Sequence, residues 1–221
     1  MHREQKTEES GWPCEGMLET ETNKGVQSIA SLDPVKKDGA GVLFERILHR
    51  DNLNAAFKRV KENRGAAGID GMTVDEMLPY LREHKEELLA SLRKGMYKPK
   101  PVRRVEIPKP DGGVRLLGVP TVIDRMLQQA IVQVLQPVFE KTFSGNSYGF
   151  RPKRSAHHAI SQAKEYYDEG YTHVVDIDLA KYFDTVNHDI LLELLVREVK
   201  ETEVLRLIRK FLKSGVMAQG F

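Results

Sequence analysis

A chain of 221 residues, 40% hydrophobic and 30% charged, holds the material for one large domain or two small ones and excludes a fully disordered polymer. No apolar run approaches the ~18 residues of a membrane span, and no basic-then-apolar leader opens the chain, which argues against membrane and secreted proteins. The single cysteine, Cys14, excludes an internal disulfide and a multi-cysteine zinc site, and the net charge of +2 hides an uneven distribution.

Residues 1–40 carry five Lys/Arg against eight Asp/Glu with no periodic apolar order, and they read as a flexible acidic tail. From Val42 the pattern is helical. Leu43, Ile47 and Leu48 share one face, and Asp51 is placed to cap a second segment bearing Leu53, Ala56, Phe57 and Val60. Gly65 to Gly71 (GAAGIDG) is a turn-rich connector, since glycine permits positive φ. Thr73 with Glu76 fits a capping box, and Pro79 restarts or kinks the helix. Its stripe of Leu81, Leu88, Leu89 and Leu92 runs to Gly95.

A hairpin is predicted next, with Val102 to Ile107 extended, Pro110-Asp111-Gly112-Gly113 as the turn and Val114 to Val119 returning. Residues 93–115 hold eight Lys/Arg against two Asp/Glu. Such a field favours a polyanion, most commonly a phosphate backbone; the alternative is a solvated basic face. Thr121 with Asp124 marks another helix start, and the stripe from Ile123 through Leu127, Ile131 and Val134 continues past Pro137 to Val138. Ser155 is placed to cap a helix that closes near Gly170. Tyr171 to Leu179 (YTHVVDIDL) then predicts a strand, followed by amphipathic helices over Asn187–Val199 and Glu201–Lys213.

The strand ends in acids. Residues two apart on a strand face the same way, so Asp176 and Asp178 share one side and Val175, Ile177 and Leu179 the other. A carboxylate in a buried strand needs a cation or hydrogen bonds, and Mg²⁺ takes hard oxygen ligands of this kind. Two readings are open from the spacing: a metal ligand, or an aspartate capping the next turn. Asp184 and Asp189 read as helix caps, and His157 and His158 as ordinary helix residues, because no further His or Cys ligands lie near them.

The run Asp178-Leu-Ala-Lys-Tyr-Phe-Asp184-Thr-Val-Asn187-His188-Asp189 resembles the first catalytic motif of reverse transcriptases of the group II intron type, to which retron-like and diversity-generating enzymes are close. Three upstream runs strengthen the resemblance in the family's order. Asn63 to Thr73 is similar to the N-terminal extension motif, Arg104 to Pro120 to the first fingers motif, and Ser147 to Ser155 (SYGFRPKRS) to the second.

The resemblance implies an α+β fold with reverse-transcriptase-like fingers and a partial palm, helix-rich with a β-hairpin and the first palm strand. It divides the chain into the tail (1–40), fingers (41–170) and an incomplete palm (171–221). It implies RNA-directed DNA polymerisation by two-metal chemistry with Mg²⁺ or Mn²⁺. Asp178 matches the catalytic metal-binding aspartate; Asp176 and the Leu179 carbonyl are further candidate metal ligands. Lys109 and Arg115 match the residues that close over the incoming triphosphate, Lys109 as a point charge and Arg115 through its fork of donors.

Phe183, or the adjacent Tyr182, matches the steric gate that rejects a ribose 2′-hydroxyl. Arg103 and Arg104 are candidate nucleic-acid contacts, and Arg151 and Arg154 either meet template phosphates or stabilise the fingers. The implied partners are group II intron RNA, an RNA template with a DNA primer, and deoxynucleoside triphosphates, in a cytoplasmic or nucleoid setting. The family pattern continues with a Pro-Gln-Gly segment and a Tyr-Ala-Asp-Asp hairpin that are not found in these residues, so the 221 residues alone are expected to be inactive. The alternatives are an RNA-binding maturase-type module and a truncated remnant without polymerase activity.

Overall fold

In the computed structural model, residues 41–110, 112–179 and 181–217 are described; the acidic tail expected over 1–40 lies outside them. The described residues form helices α1 (Val42–Leu48), α2 (Arg50–Glu62), α3 (Met77–Arg93), α4 (Val122–Phe139), α5 (Ala156–Asp168), α6 (Tyr182–Thr185), α7 (His188–Glu198) and α8 (Thr202–Leu212). Strands β1 (Val102–Pro108), β2 (Val114–Val119) and β3 (Val216–Met217) form one small sheet in the order β2-β1-β3. The molecule is thus helix-rich with a minor sheet, in two compact units: residues 41–134 with 199–217, and residues 135–198.

The first unit is built on the apolar stripes legible in the sequence. Leu53, Ala56, Phe57 and Val60 of α2, Met77, Leu81, Leu88 and Leu92 of α3, and Val122, Met126, Leu127 and Ala130 of α4 are buried, joined by Val204 and Leu207 of α8. Each Leu, Val, Met or Phe among them contributes roughly 1.5–3 kcal/mol when fully buried. Helix α3 ends in a Schellman motif: the Met96 amide donates to the Ser91 carbonyl and Gly95 to that of Leu92, with Gly95 at φ +64°. It begins at Met77 rather than at Thr73. The Thr73 amide and hydroxyl both donate to the Glu76 carboxylate, which holds that carboxyl below its ordinary range, but the helix starts after this pair, with Pro79 in its first turn.

Helix α1 has no local cap; its Leu43 and Phe44 amides donate to the Glu201 carboxylate at 2.7 and 2.9 Å. Helix α2 is capped by His49, whose Nδ1 accepts from the Asp51 amide, and not by Asp51, which sits in the first turn. One residue, His49, separates the two helices, leaving no room for a later cap.

Polar ties fix the connector. Gly68 is buried with a Cβ site only 2.6 Å from the Thr121 Cα, so no larger residue fits without moving backbone. Arg125 donates to the Ala66 carbonyl, and Lys100 pairs with Asp70. At the start of α4, Asp124 is 1% exposed and accepts from the Tyr97 hydroxyl (2.7 Å), the Lys100 amide (3.1 Å) and the Thr121 hydroxyl (2.8 Å). Burial first, and the adjacent Asp124 carboxylate second, push the Tyr97 phenol well above its ordinary range.

In the second unit, α5 is capped by Ser155, whose hydroxyl accepts from the His158 amide, and closed by Gly170 at φ +101°. Helix α7 is preceded by Asn187, whose side chain accepts from the Asp189 and Ile190 amides; Asn187, not Asp189, is the cap. None of α5, α6 and α7 carries a buried residue.

The strand expected over Tyr171–Leu179 is not formed. The segment has no ladder partner among the described residues and its side chains are exposed, Val174 at 91%. Apolar β-branched residues favour a strand, but a strand exists only through pairing, and the sheet's pairs are all made by β1, β2 and β3.

Candidate active site and nucleic-acid interface

The acidic segment leads directly into α6. Lys181 adopts a left-handed conformation (φ +52°), uncommon for a residue with a Cβ, and turns the chain so that its carbonyl accepts from the Asp184 and Thr185 amides. Tyr182 and Phe183 therefore open a single helical turn with their rings 5.4 Å apart at 72°. Phe183 is 90% exposed and Tyr182 52%. Asp184 sits inside the turn and does not cap it.

Asp176, Asp178 and Leu179 are exposed, and neither carboxylate is engaged in a hydrogen bond or ion pair among the described residues. Neither caps α6, whose N-cap is Lys181 with no side-chain bond. Two hard oxygen donors two residues apart fit part of a Mg²⁺ coordination shell, the rest of which is ordinarily supplied by water and substrate phosphates. No group of three or more His, Cys, Asp or Glu suited to a metal occurs among the described residues, and His157 and His158 lie exposed in the first turn of α5.

The hairpin forms as its sequence predicts, and its register places the basic residues. Arg103 pairs with Val119, Arg104 with Gly118 and Ile107 with Arg115, and the turn is closed by the Lys109 amide donating to the Gly113 carbonyl. Directly paired residues share a face and successive residues alternate, so Arg103, Ile107 and Arg115 lie on one face and Lys109 continues it. Arg104 lies on the other. Lys109 and Arg115 are exposed; Arg103 is half-buried, and its Nε has no partner among the described residues.

The SYGFRPKRS loop shows which of the two roles open to its arginines they take. The Arg151 side chain is 7% exposed and fully engaged: it pairs with Glu140 through Nε and Nη2 at 3.0 and 2.6 Å and donates from Nη1 to the Ser144 and Ser147 carbonyls. Arg154 donates to the Gly145 carbonyl and lies 5.2 Å over the Tyr148 ring. Both arginines hold the loop, which is the stabilising alternative of the two open to them. The outward residues are Phe150 and Lys153, both exposed and both at positive φ (56° and 59°).

The sequence profile of the reverse transcriptase (RNA-dependent DNA polymerase) family matches residues 107–220: the chain belongs to that family. Among known proteins it is 34% identical to protein YkfC of Escherichia coli (strain K12) over 210 residues, 92% of this chain and 55% of that protein. It is 33% identical to the group II intron-encoded protein LtrA of Lactococcus lactis subsp. cremoris over 176 residues, 79% of this chain and 29% of LtrA. With the putative COX1/OXI3 intron 1 protein of Saccharomyces cerevisiae the identity is 34% over 168 residues, 75% and 20% of the two chains. The chain thus spans about half or less of the length of these relatives. No helix among the described residues is long and apolar enough to cross a membrane.

Proposed function

We propose that the full-length protein is an RNA-directed DNA polymerase encoded by a group II intron, in which residues 41–170 serve as fingers and residues 171–221 open the palm. The observation that carries this reading is the Asp178 carboxylate, exposed and unengaged among the described residues, inside the stretch that matches the polymerase family. In the complete palm, further strands pair with the 171–179 segment and cover its exposed valines and isoleucine.

Asp178 and Asp176, with the Leu179 carbonyl, are the groups that would hold Mg²⁺ or Mn²⁺. Bound there, the metal supplies charge neutralisation for a triphosphate and acidifies a primer 3′-hydroxyl. The protein's own residues do the positioning. Lys109 and Arg115, sharing a hairpin face, grip the triphosphate of an incoming deoxynucleotide. Phe183, the freer ring, occupies the sugar gate, and Tyr182 packs edge-on against it. Arg103 and Arg104, on opposite faces, serve separate backbone contacts, while Phe150 and Lys153 take the template-facing role expected of Arg151 and Arg154.

The natural setting is the cytoplasm or nucleoid, with intron RNA as template and partner. Primer extension tests the reading. The full-length protein should extend a DNA primer on an RNA template with Mg²⁺ and deoxynucleotides, and Asp178→Ala should remove extension while leaving RNA affinity intact. Equal loss of both sinks the metal assignment.

The basic stretch 93–115 favours a second reading, a maturase-type module that clasps structured intron RNA. Its affinity for RNA should fall steeply with salt, and a flat salt response rejects it.

A further inference from the structure

A groove of about 440 Å³ in the first unit lies apart from every motif that carries the family resemblance. It is lined by Lys98 and Pro99 on one side and by Arg206, Arg209 and Lys210 of α8 and its C-cap Lys213 on the other, with Ser214 at its end. No carboxylate lines it. Positions 206, 209, 210 and 213 follow the i, i+3, i+4, i+7 spacing that puts side chains on one helical face. At 1.5 Å per residue the stripe is roughly 10 Å long, enough to face more than one phosphate of a nucleic-acid backbone. The opposite face of α8 buries Val204 and Leu207, which fixes the helix in rotation and leaves Arg206, Arg209 and Lys213 exposed, with Lys210 half-buried.

Both walls of the groove are pinned before any ligand arrives. Lys210 Nζ donates to the Gly95 and Tyr97 carbonyls at 2.6 and 2.9 Å. Tyr97 is held in turn by Asp124 through its hydroxyl and by Phe211 through a ring contact of 6.4 Å. Arg206 lies over Gly95, 3.1 Å from where a Cβ would stand. Of the two acids that begin α8, Glu201 is engaged in capping α1, and Glu203 lies beside Arg206 in the neighbouring depression. A line of cations on a fixed backbone suits an extended polyanion better than a single small anion.

We infer that this groove binds the phosphate backbone of double-helical RNA, as a docking site separate from the nucleotide-handling hairpin. The inference rests on the reading of the protein as an RNA-handling enzyme for the choice of RNA, and on the groove's own charge and rigidity for the contact. The groove's helix lies outside all four family-like motifs, and its cations recur at helical spacing rather than as a contiguous run.

The test uses the 221-residue chain and a fluorescently labelled RNA hairpin. Lys98→Gln, Arg206→Gln and Lys213→Gln together replace exposed groups and spare Lys210, which ties the segment. The triple variant should bind roughly tenfold or more weakly at 0.1 M salt, and its log affinity against log salt should flatten by about 2 to 3, one counterion for each phosphate that is no longer neutralised. Its thermal melting should match the wild type. In the wild type, RNA should shield Lys98 and Lys213 from an amine-acylating reagent, a readout that does not depend on the variant folding.

Unchanged affinity and slope in a normally melting variant, or shielding of Lys109 without shielding of Lys98 and Lys213, overturns the inference and leaves the polymerase reading standing. Absence of any RNA binding by the wild-type chain overturns both. Binding of vesicles rich in anionic phospholipid that depends on these three residues, with RNA affinity unmoved, also overturns it.

Discussion

The two units divide labour in opposite ways. Residues 41–134 with 199–217 contain a densely buried core and a chain of satisfied polar ties, whereas α5, α6 and α7 of the other unit bury nothing, and that unit carries the exposed Asp176 and Asp178 and the Tyr182–Phe183 pair. The segment proposed to bear the chemistry contributes almost nothing to the core, so changes there and changes in the first unit should separate cleanly into effects on activity and effects on stability.

Four experiments probe that separation. The largest effect is expected at Asp178: in the full-length protein, Asp178→Ala should lower primer extension by about 10³-fold or more, as the loss of several kcal/mol of metal-held charge stabilisation implies, with no shift in melting. A fall in Tm would contradict the division of labour. Next is Asp124→Ala, which removes a buried acceptor serving three donors. It should cost about 3 kcal/mol and lower Tm by roughly 6–12 °C, measured by circular dichroism.

Tyr97 gives a smaller, pH-dependent effect. Its phenol is held neutral in the folded state above an ordinary value of 10.0, so the unfolded chain releases that proton first as the solution becomes alkaline. The stabilisation is complete below pH 10 and is lost as pH rises above it; denaturant melts across that window should fall more steeply for the wild type than for Tyr97→Phe. The smallest effect belongs to Val174→Thr with Ile177→Thr in the 221-residue chain. Both side chains are exposed, and stability should stay within about 0.5 kcal/mol. A larger loss would show that the segment is packed.

Local signals were legible wherever a local cause sufficed. The apolar stripes of α2, α3 and α4 became core, the Pro110 to Gly113 turn closed the hairpin, and Thr121–Asp124 and Ser155 capped the helices they were placed to cap. The misses share a different origin. Asp51 and Asp189 have capping chemistry, but His49 and Asn187 stand two residues earlier, at the actual junctions. The 171–179 run has strand propensity, yet pairing is a property of two segments and cannot be read from one. Strand β3 is the converse case: Val216–Met217 is a short piece that pairs in parallel with Val102–Arg103 across more than a hundred residues.

For the candidate site, residue types were legible and directions were not. Lys109 and Arg115 share a face only because the register sets Arg115 opposite Ile107, whereas Arg151 turns inward because Glu140 and two carbonyls are there to receive it. Neither the register nor the acceptor cluster has a signature within the motif itself.

Glu201 closes α1 from 158 positions downstream of Leu43. During synthesis, α1 therefore leaves the ribosome with its leading amides bonded only to water and stays frayed until Glu201 has followed. Completion of the packed unit must wait for α8, so a stall in translation before Glu201 strands an unfinished bundle with open apolar faces, a substrate for chaperones.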